Sequence, residues 1–320
     1  MRREGSPWQG LGTVMVKELA DQLTSARMRV LELLVVLAAF AALAGAIGQI
    51  RETTAEDPFV LLKLFTVSKW APLSLFFILG FLVPLMAICL GCDAINGEHN
   101  RRTLSRILSQ PIYRDALLAG KFLANLATMG ISLLCLWLLV VGLGIIFLGV
   151  PPSGEEIARS LFFLLITLAY AGTWLALAML LSIIFRSVAT ALLVALGIWL
   201  FLTLLWPMLV PGFASLIAPV DPRYEMLGLP TPATVEWQDV LMRISPSHLF
   251  DGAAVALLAP DTRATGTVYL NQLQGAILGS PLPLSESLAV AWPQAVALIA
   301  GVIVLFVAGY VVFQRQEVRA

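Results

Sequence analysis

The sequence predicts an all-α, polytopic membrane protein with six transmembrane helices. Apolar residues make up 59% of the 320 residues and charged residues only 12%, whereas a soluble domain has about 45–50% and about 25%. Six uncharged windows each reach the roughly 18–20 residues that a helix needs to cross a bilayer. These windows are Leu33–Ile50, Trp70–Cys92, Phe122–Gly154, Ser160–Phe185, Ser187–Val220 and Ser287–Gln314.

The region before the first window predicts an amphipathic helix that lies in the membrane interface. Residues 8–26 are too polar to span, yet their apolar residues recur at spacings of three and four, as on one face of a helix. The stripe consists of Trp8, Leu11, Met15, Leu19 and Leu23. A solvated tail with a chance stripe is the alternative.

Spans one and two follow from the first two windows. Span one covers about residues 30–50, and Glu32 near its start is expected to reach the lipid headgroups. Residues 59–66 then form a brief interfacial helix. Span two covers about residues 71–92 and contains Pro84, which removes a backbone hydrogen bond and is expected to kink the helix.

The remaining spans are separated by connections of very different length. Span three ends at Val150, and spans four (161–185) and five (188–210) are joined by only two residues, which predicts an antiparallel hairpin. Two apolar pieces after span five, Gly252–Leu258 and Leu270–Leu278, are too short to span and are expected to form short helices.

The chain therefore divides into four regions. Residues 1–29 form the cytoplasmic interface helix, and residues 30–210 carry spans one to five together with the polar segment 93–121. Residues 211–287 contain nine prolines and form an outer segment with short helices. Residues 288–320 hold span six and a short tail.

The distribution of Lys and Arg indicates the orientation. With the N-terminus inside, thirteen basic residues fall on the cytoplasmic side and four fall in the two short outer loops. The four outer residues are Arg51, Lys63, Lys69 and Arg159. This bias places both termini in the cytoplasm of a cell-membrane protein and residues 211–287 outside.

Few chemical functions fit the sequence. Gly120-Lys121 lacks the upstream glycine and the following Ser or Thr of a nucleotide-binding loop, so the chain is not expected to hydrolyse ATP or to contain catalytic residues. His99 and His248 fall on opposite sides of the membrane, so no metal site is expected. The isolated Cys89-x-x-Cys92 is better explained by buried cysteines. The formal net charge of zero gives no indication of a nucleic-acid partner.

The polar segment 93–121 contains a short apolar stripe. Leu104, Ile107 and Leu108 share one face of a helix that begins near Thr103 and ends before Pro111. An apolar face in the cytoplasm needs a partner, which is either another protein or the cytoplasmic helix ends of this chain.

The same segment contains a series of short motifs, which in order are Gly97-Glu98, Thr103-Leu104, Ser109-x-Pro111, Arg114 and Gly120-Lys121-Phe122. Further motifs elsewhere in the chain are Lys17-Glu18-Leu19, Ser245-Pro246-Ser247 and Phe313–Arg319. Their order resembles type-2 ABC exporter permeases, the group that includes the permease for maturation of nitrous oxide reductase. The resemblance covers the whole chain, and Arg101-Arg102 is a departure, since the family often has glycine just before the threonine.

The resemblance implies a dimer of six-span permeases, of identical or homologous copies, in which a separate ABC ATPase subunit binds the ATP and magnesium. The ATPase is expected to dock on the N-terminal helix and on the segment after span two, with charges at the rim and leucines at the centre. The expected contact residues are Lys17, Glu18, Glu98, Arg101, Arg102, Thr103, Leu104, Ile107, Leu108 and Arg114.

The substrate is the least constrained part of the hypothesis. After Glu32 the spans carry no charged residue, so the candidates for a substrate path are hydroxyl side chains, which equally serve as hydrogen bonds between helices. They are Thr128, Ser132, Thr167, Tyr170, Thr173 and Thr203. A lipid or drug is favoured as cargo. A membrane scaffold that transports nothing is the alternative function.

Overall fold

The computed structural model describes residues 10–52, 59–66, 74–97, 114–149, 151–219, 224, 231–260 and 282–315. All regular secondary structure in these residues is helical, as the sequence predicts. The helices are α1 (Leu11–Thr24), α2 (Ala26–Glu52), α3 (Val60–Thr66), α4 (Leu75–Gly91), α5 (Arg114–Leu148), α6 (Gly154–Ile184), α7 (Val188–Leu200), a π-helix (Phe201–Leu205), α8 (Trp206–Ile217), α9 (Pro232–Met242), α10 (Pro246–Leu258) and α11 (Leu284–Arg315).

Five stretches in the described part of the chain are long and apolar enough to cross a bilayer: α2, α5, α6, the continuous α7–π–α8 helix, and α11. The predicted span two corresponds to α4, which has 17 residues and is therefore about 25 Å long. Its start is fixed at Ser74, whose Oγ accepts a hydrogen bond of 3.3 Å from the backbone N–H of Phe77.

Helix α6 lies at the centre of the bundle. Of its most apolar stretch 67% is buried, against 17–28% for the other four long stretches, whose remaining surface consists mainly of large apolar side chains. The packing of α4 against α6 is close at Gly91, where an added Cβ would lie 2.6 Å from Cβ of Ala178. Helix α11 packs on another side of α6, where Thr173 Oγ1 donates a hydrogen bond of 3.3 Å to the Leu298 carbonyl oxygen.

Span five is longer than expected. The sequence places its end at residue 210, whereas the helix continues through Pro211 to Ile217. The π-helix lies directly before Trp206-Pro207, and because Pro207 has no N–H, the turn before it lacks one α-helical hydrogen bond. The wider turn accommodates proline without ending the helix.

Helix α10 enters the bundle from one end. Its C-terminal carbonyl at Leu257 accepts a hydrogen bond from Arg159 in the first turns of α6, and Ser247 in its first turn contacts Tyr170, halfway along α6. The expected short helix at Gly252–Leu258 thus starts earlier, at Pro246. The expected element at Leu270–Leu278 lies outside the described residues.

Candidate functional site

Helix α1 packs on α5 through a close contact and an ion pair. A Cβ added at Gly120 would lie 2.9 Å from the Val14 side chain and 3.3 Å from the Leu11 carbonyl oxygen, so the approach of the two helices depends on glycine. Lys121 Nζ lies 2.9 Å from Glu18 Oε1, with only 4% and 13% of the two side chains exposed. A buried ammonium needs such a partner, and the pair holds α1 against α5.

The packed face of α1 differs from the expected stripe. Val14 is buried and Glu18 lies on the same face, whereas Leu23 is 37% exposed. Helical spacing predicts Glu18 on a polar face of α1. It cannot show that Lys121, which is distant along the chain, lies opposite Glu18. Lys17 points outward with 59% of its side chain exposed, 3.2 Å from carboxylate oxygens of both Glu18 and Asp21.

The turn that follows α4 is bound to two other helices. Ser182 Oγ in α6 accepts hydrogen bonds from the backbone N–H groups of Ile95 (3.2 Å) and Asn96 (3.1 Å). The carboxylate of Asp93 pairs with the guanidinium of Arg27 at the start of α2. The polar segment therefore leaves the bundle beside α2 and returns on α5 beside α1, at the same end of the molecule.

A cavity of about 340 Å³ opens between these anchored elements. Charged and polar side chains from α1, the start of α2 and α5 face it, together with the turn after α4. The lining residues are Lys17, Glu18, Asp21, Gln22, Ser25, Arg27, Cys89, Leu90, Asp93, Ala94, Gly97 and Lys121. Of the predicted ATPase contact residues, Lys17 and Glu18 line this cavity.

Most of the predicted contact residues lie outside the described residues, so their role stays a prediction. They are Glu98, Arg101, Arg102, Thr103, Leu104, Ile107 and Leu108. Arg114 is the first residue of α5. Lys17 lies at the surface as a docking role requires, whereas Glu18 is engaged within the chain.

Two predicted substrate-path hydroxyls belong to one buried hydrogen-bond chain. Pro84 in α4 has no N–H for the carbonyl oxygen of Gly80, and Tyr170 OH donates to that oxygen at 3.0 Å. Ser247 Oγ lies 3.1 Å from Tyr170 OH, and Thr203 Oγ1 lies 2.8 Å from Ser247 Oγ. Each hydroxyl has one proton, so the chain runs from Thr203 through Ser247 and Tyr170 to Gly80.

Three further hydroxyls bond to carbonyl oxygens four residues earlier in their own helix. Thr128, Thr167 and Thr173 do so at 2.9, 2.8 and 3.1 Å. Ser132 lines a cavity among α2, α4 and α5, and its Oγ lies 2.9 Å from Glu32 Oε1. Thr167 lines a much smaller cavity of about 10 Å³. Glu32, which we expected at the headgroups, instead turns toward α5 because Ser132 offers a donor.

The opposite end of the bundle is joined by Arg159, whose side chain is fully buried. Its guanidinium donates to Glu155 Oε1 at 2.8 and 3.0 Å, to Ser287 Oγ at 2.9 Å and to the backbone carbonyls of Leu257 and Leu282. One side chain thus joins α6, the C-terminus of α10 and the start of α11.

The described residues contain no group of three or more His, Cys, Asp or Glu side chains that could hold a metal ion. Cys89, Cys92 and Cys135 are free thiols. Cys92 is buried and Cys89 is half-buried, in keeping with a packing role for the pair.

The architecture is that of a helical membrane bundle with a surface helix and a helix inserted from the opposite end. Residues 13–318 match the ABC-2 family transporter protein. The chain belongs to this family, and the resemblance identified in its motifs is confirmed.

Two relatives are similar along most of their length. "Probable ABC transporter permease protein NosY" of Pseudomonas aeruginosa strain PAO1 is 28% identical over 292 residues, which cover 86% of this chain and 89% of that protein. The protein of the same name from Stutzerimonas stutzeri is 26% identical over 240 residues, which cover 74% and 76%. Both relatives are described as permeases, the class predicted from the sequence.

Proposed function

We propose that this chain is the permease subunit of an ATP-driven exporter and works as a dimer with a separate ATPase. Two observations support this proposal together. The chain belongs to the ABC-2 family, and α1 and both ends of the polar segment 93–121 are bound to the same end of the helical bundle. A partner that moves either element moves α2, α4, α5 and α6 with it, because ion pairs and hydrogen bonds join them.

The proposed docking surface consists of the outward face of α1 and the polar segment. Lys17 and Asp21 offer exposed charges from α1, and Leu104, Ile107 and Leu108 supply the apolar centre. Glu18 contributes indirectly, because its bond to Lys121 holds α1 on α5. The contacts with Glu98, Arg101, Arg102, Thr103 and Arg114 follow from the family resemblance.

Docking is tested with a matched pair of substitutions. A buried leucine contributes about 1.5–3 kcal/mol, so Leu108→Asp should weaken binding of the ATPase by about tenfold or more. Ser105→Asp, which adds the same charge off the stripe, should have little effect. The measurement is co-purification of the ATPase at equal yields of folded permease. Normal binding by folded Leu108→Asp would exclude the stripe as the docking surface.

We also propose that α4 completes a set of six spans and that both termini lie in the cytoplasm. The basic residues near the spans support this orientation. Single cysteines at Ser109 and Thr262, in a chain without its native cysteines, should react differently with a membrane-impermeant thiol reagent in intact cells. Reaction at 262 but not at 109 is expected, and the reverse pattern would overturn the orientation.

ATP and magnesium are proposed to bind the partner subunit alone. The purified chain should therefore show no hydrolysis, and hydrolysis should appear when the ATPase is added. Activity that remains with the isolated chain through successive purification steps would contradict this division.

ATP-dependent uptake of cargo into inside-out vesicles would support export, and uptake into right-side-out vesicles would contradict it.

A further inference from the structure

A second cavity, of about 220 Å³, lies among α2, α4 and α5. Its polar lining consists of Glu32 and Ser132, with the thiol of Cys135 beside them. The remaining wall is formed by Val35, Val36, Val83, Met86, Ile131, Leu133, Leu136 and Leu139. The cavity therefore combines one carboxylate with an apolar surface.

The carboxylate of Glu32 has few donors around it. Ser132 Oγ lies 2.9 Å from Glu32 Oε1 but also 3.0 Å from the Thr128 carbonyl oxygen, and its single proton serves one acceptor at a time. No second donor to Glu32 occurs within the described part of the chain. A carboxylate can accept about four hydrogen bonds, so this one is left with unused acceptor sites.

The position of the cavity makes such a carboxylate unusual. Glu32 lies five residues beyond Arg27, or about 7.5 Å further along α2, and Ser132 lies eleven residues beyond Lys121, or about 16 Å further along α5. A carboxylate on a spanning helix that faces an apolar cavity is costly, and such residues commonly mark a ligand pathway. No Lys or Arg is among the described residues that line the cavity.

We infer that this cavity binds an organic cation with a compact apolar body, such as a quaternary or protonated amine. The cationic group would neutralise Glu32, and the apolar wall would bury its substituents. An anion would be repelled, and a neutral ligand would leave the carboxylate without a counter-ion. Such cations are also the class of cargo, an assignment that rests on the proposed exporter function.

Cys135 provides a probe of this preference because its thiol lines the cavity. In a Cys89→Ala, Cys92→Ala chain, we would measure its reaction rates with two methanethiosulfonates, one carrying trimethylammonium and one carrying sulfonate. The thiolate forms a disulfide and releases methanesulfinate in both cases. The ratio of the cationic reagent's rate to the anionic reagent's rate at Cys135 should exceed the same ratio for a free thiol by on the order of tenfold.

Control variants test whether the preference for the cationic reagent comes from the carboxylate of Glu32. Glu32→Gln should abolish the preference for the cationic reagent and Glu32→Asp should keep it. Leu138→Ala, which removes an exposed side chain outside the cavity on the same helix, should leave the preference at Cys135 unchanged. Equal rates for both reagents at Cys135, or a preference that survives Glu32→Gln, would overturn the site.

A second pair of probes tests the ligand itself. Benzyltrimethylammonium should protect Cys135 from the neutral methyl methanethiosulfonate, whereas its uncharged isostere neopentylbenzene should not. With the ATPase bound, the cation should raise ATP hydrolysis in the wild-type and Leu138→Ala complexes but not with Glu32→Gln. Protection without stimulation would overturn the cargo role alone. Failure of the ATPase to bind would contradict the proposed function and leave the site intact.

Discussion

The proline inside α4 predicts that Tyr170→Phe is more harmful in the wild-type chain than in a chain that carries Pro84→Ala. Pro84 cannot bond to the Gly80 carbonyl oxygen, and Tyr170 OH donates to it at 3.0 Å. Removing the hydroxyl leaves that oxygen without its donor inside the bundle. Alanine at position 84 restores an N–H that can bond to the same oxygen, so the tyrosine hydroxyl becomes less important.

The expected magnitude follows from the hydrogen bond alone. The phenyl ring of Tyr170 stacks on Phe250 with centroids 4.5 Å apart, and phenylalanine keeps this contact. An unpaired buried carbonyl costs about 1–3 kcal/mol, whereas hydrogen bonds between membrane helices average about 0.6 and reach about 1.7 kcal/mol. We therefore expect Tyr170→Phe to cost about 1–2 kcal/mol, with a coupling to Pro84→Ala of about 1 kcal/mol.

The assay is reversible unfolding of the purified chain in mixed micelles with increasing dodecyl sulfate, applied to the wild type, both single variants and the double variant. Tyr310→Phe in α11 makes the same chemical change at a half-buried position and serves as the control. If the two free-energy changes add without coupling, the hydroxyl of Tyr170 does not compensate for Pro84.

Three other predictions concern helix contacts. Gly120→Leu should push α1 away from α5 and reduce co-purification of the ATPase, whereas Gly142→Leu on the same helix, with open space around its added Cβ, should not. Glu18→Lys and Lys121→Glu should each cost about 3 kcal/mol in the unfolding assay, and the double exchange should recover most of it. Gly91→Val should cost about 1–3 kcal/mol through overpacking against α6, measured in the same way.

The long helices could be predicted from the sequence because a bilayer requires long uncharged stretches. The short helices are harder to predict, because residues 211–287 contain nine prolines and their apolar pieces are too short to span. Two of these prolines begin helices: Thr231-Pro232 opens α9 and Ser245-Pro246 opens α10. Proline in the first turn of a helix loses no hydrogen bond, so Thr-Pro and Ser-Pro pairs such as these can be used to predict where a helix begins.

The functional side chains show a similar limit. Helical spacing assigns Glu18 to the polar side of α1, but it cannot reveal that Lys121 lies opposite, more than a hundred residues away. Likewise, the sequence marks Ser132 and Tyr170 equally as hydroxyls within spans. Only the neighbouring residues in the structure distinguish Ser132, which faces a cavity, from Tyr170, which bonds to the carbonyl oxygen that Pro84 leaves without its helical donor.

The insertion of α10 from the Arg159 end has a consequence for biogenesis. In the proposed orientation, α9 and α10 are delivered to the outer side before span six is synthesised, so α10 must re-enter the bundle afterwards. Arg159 can complete its bonds to Leu282 and Ser287 only when α11 has arrived. Assembly of the subunit therefore ends with a step on the outer side, where proteases and folding factors of that compartment have access to an incomplete chain.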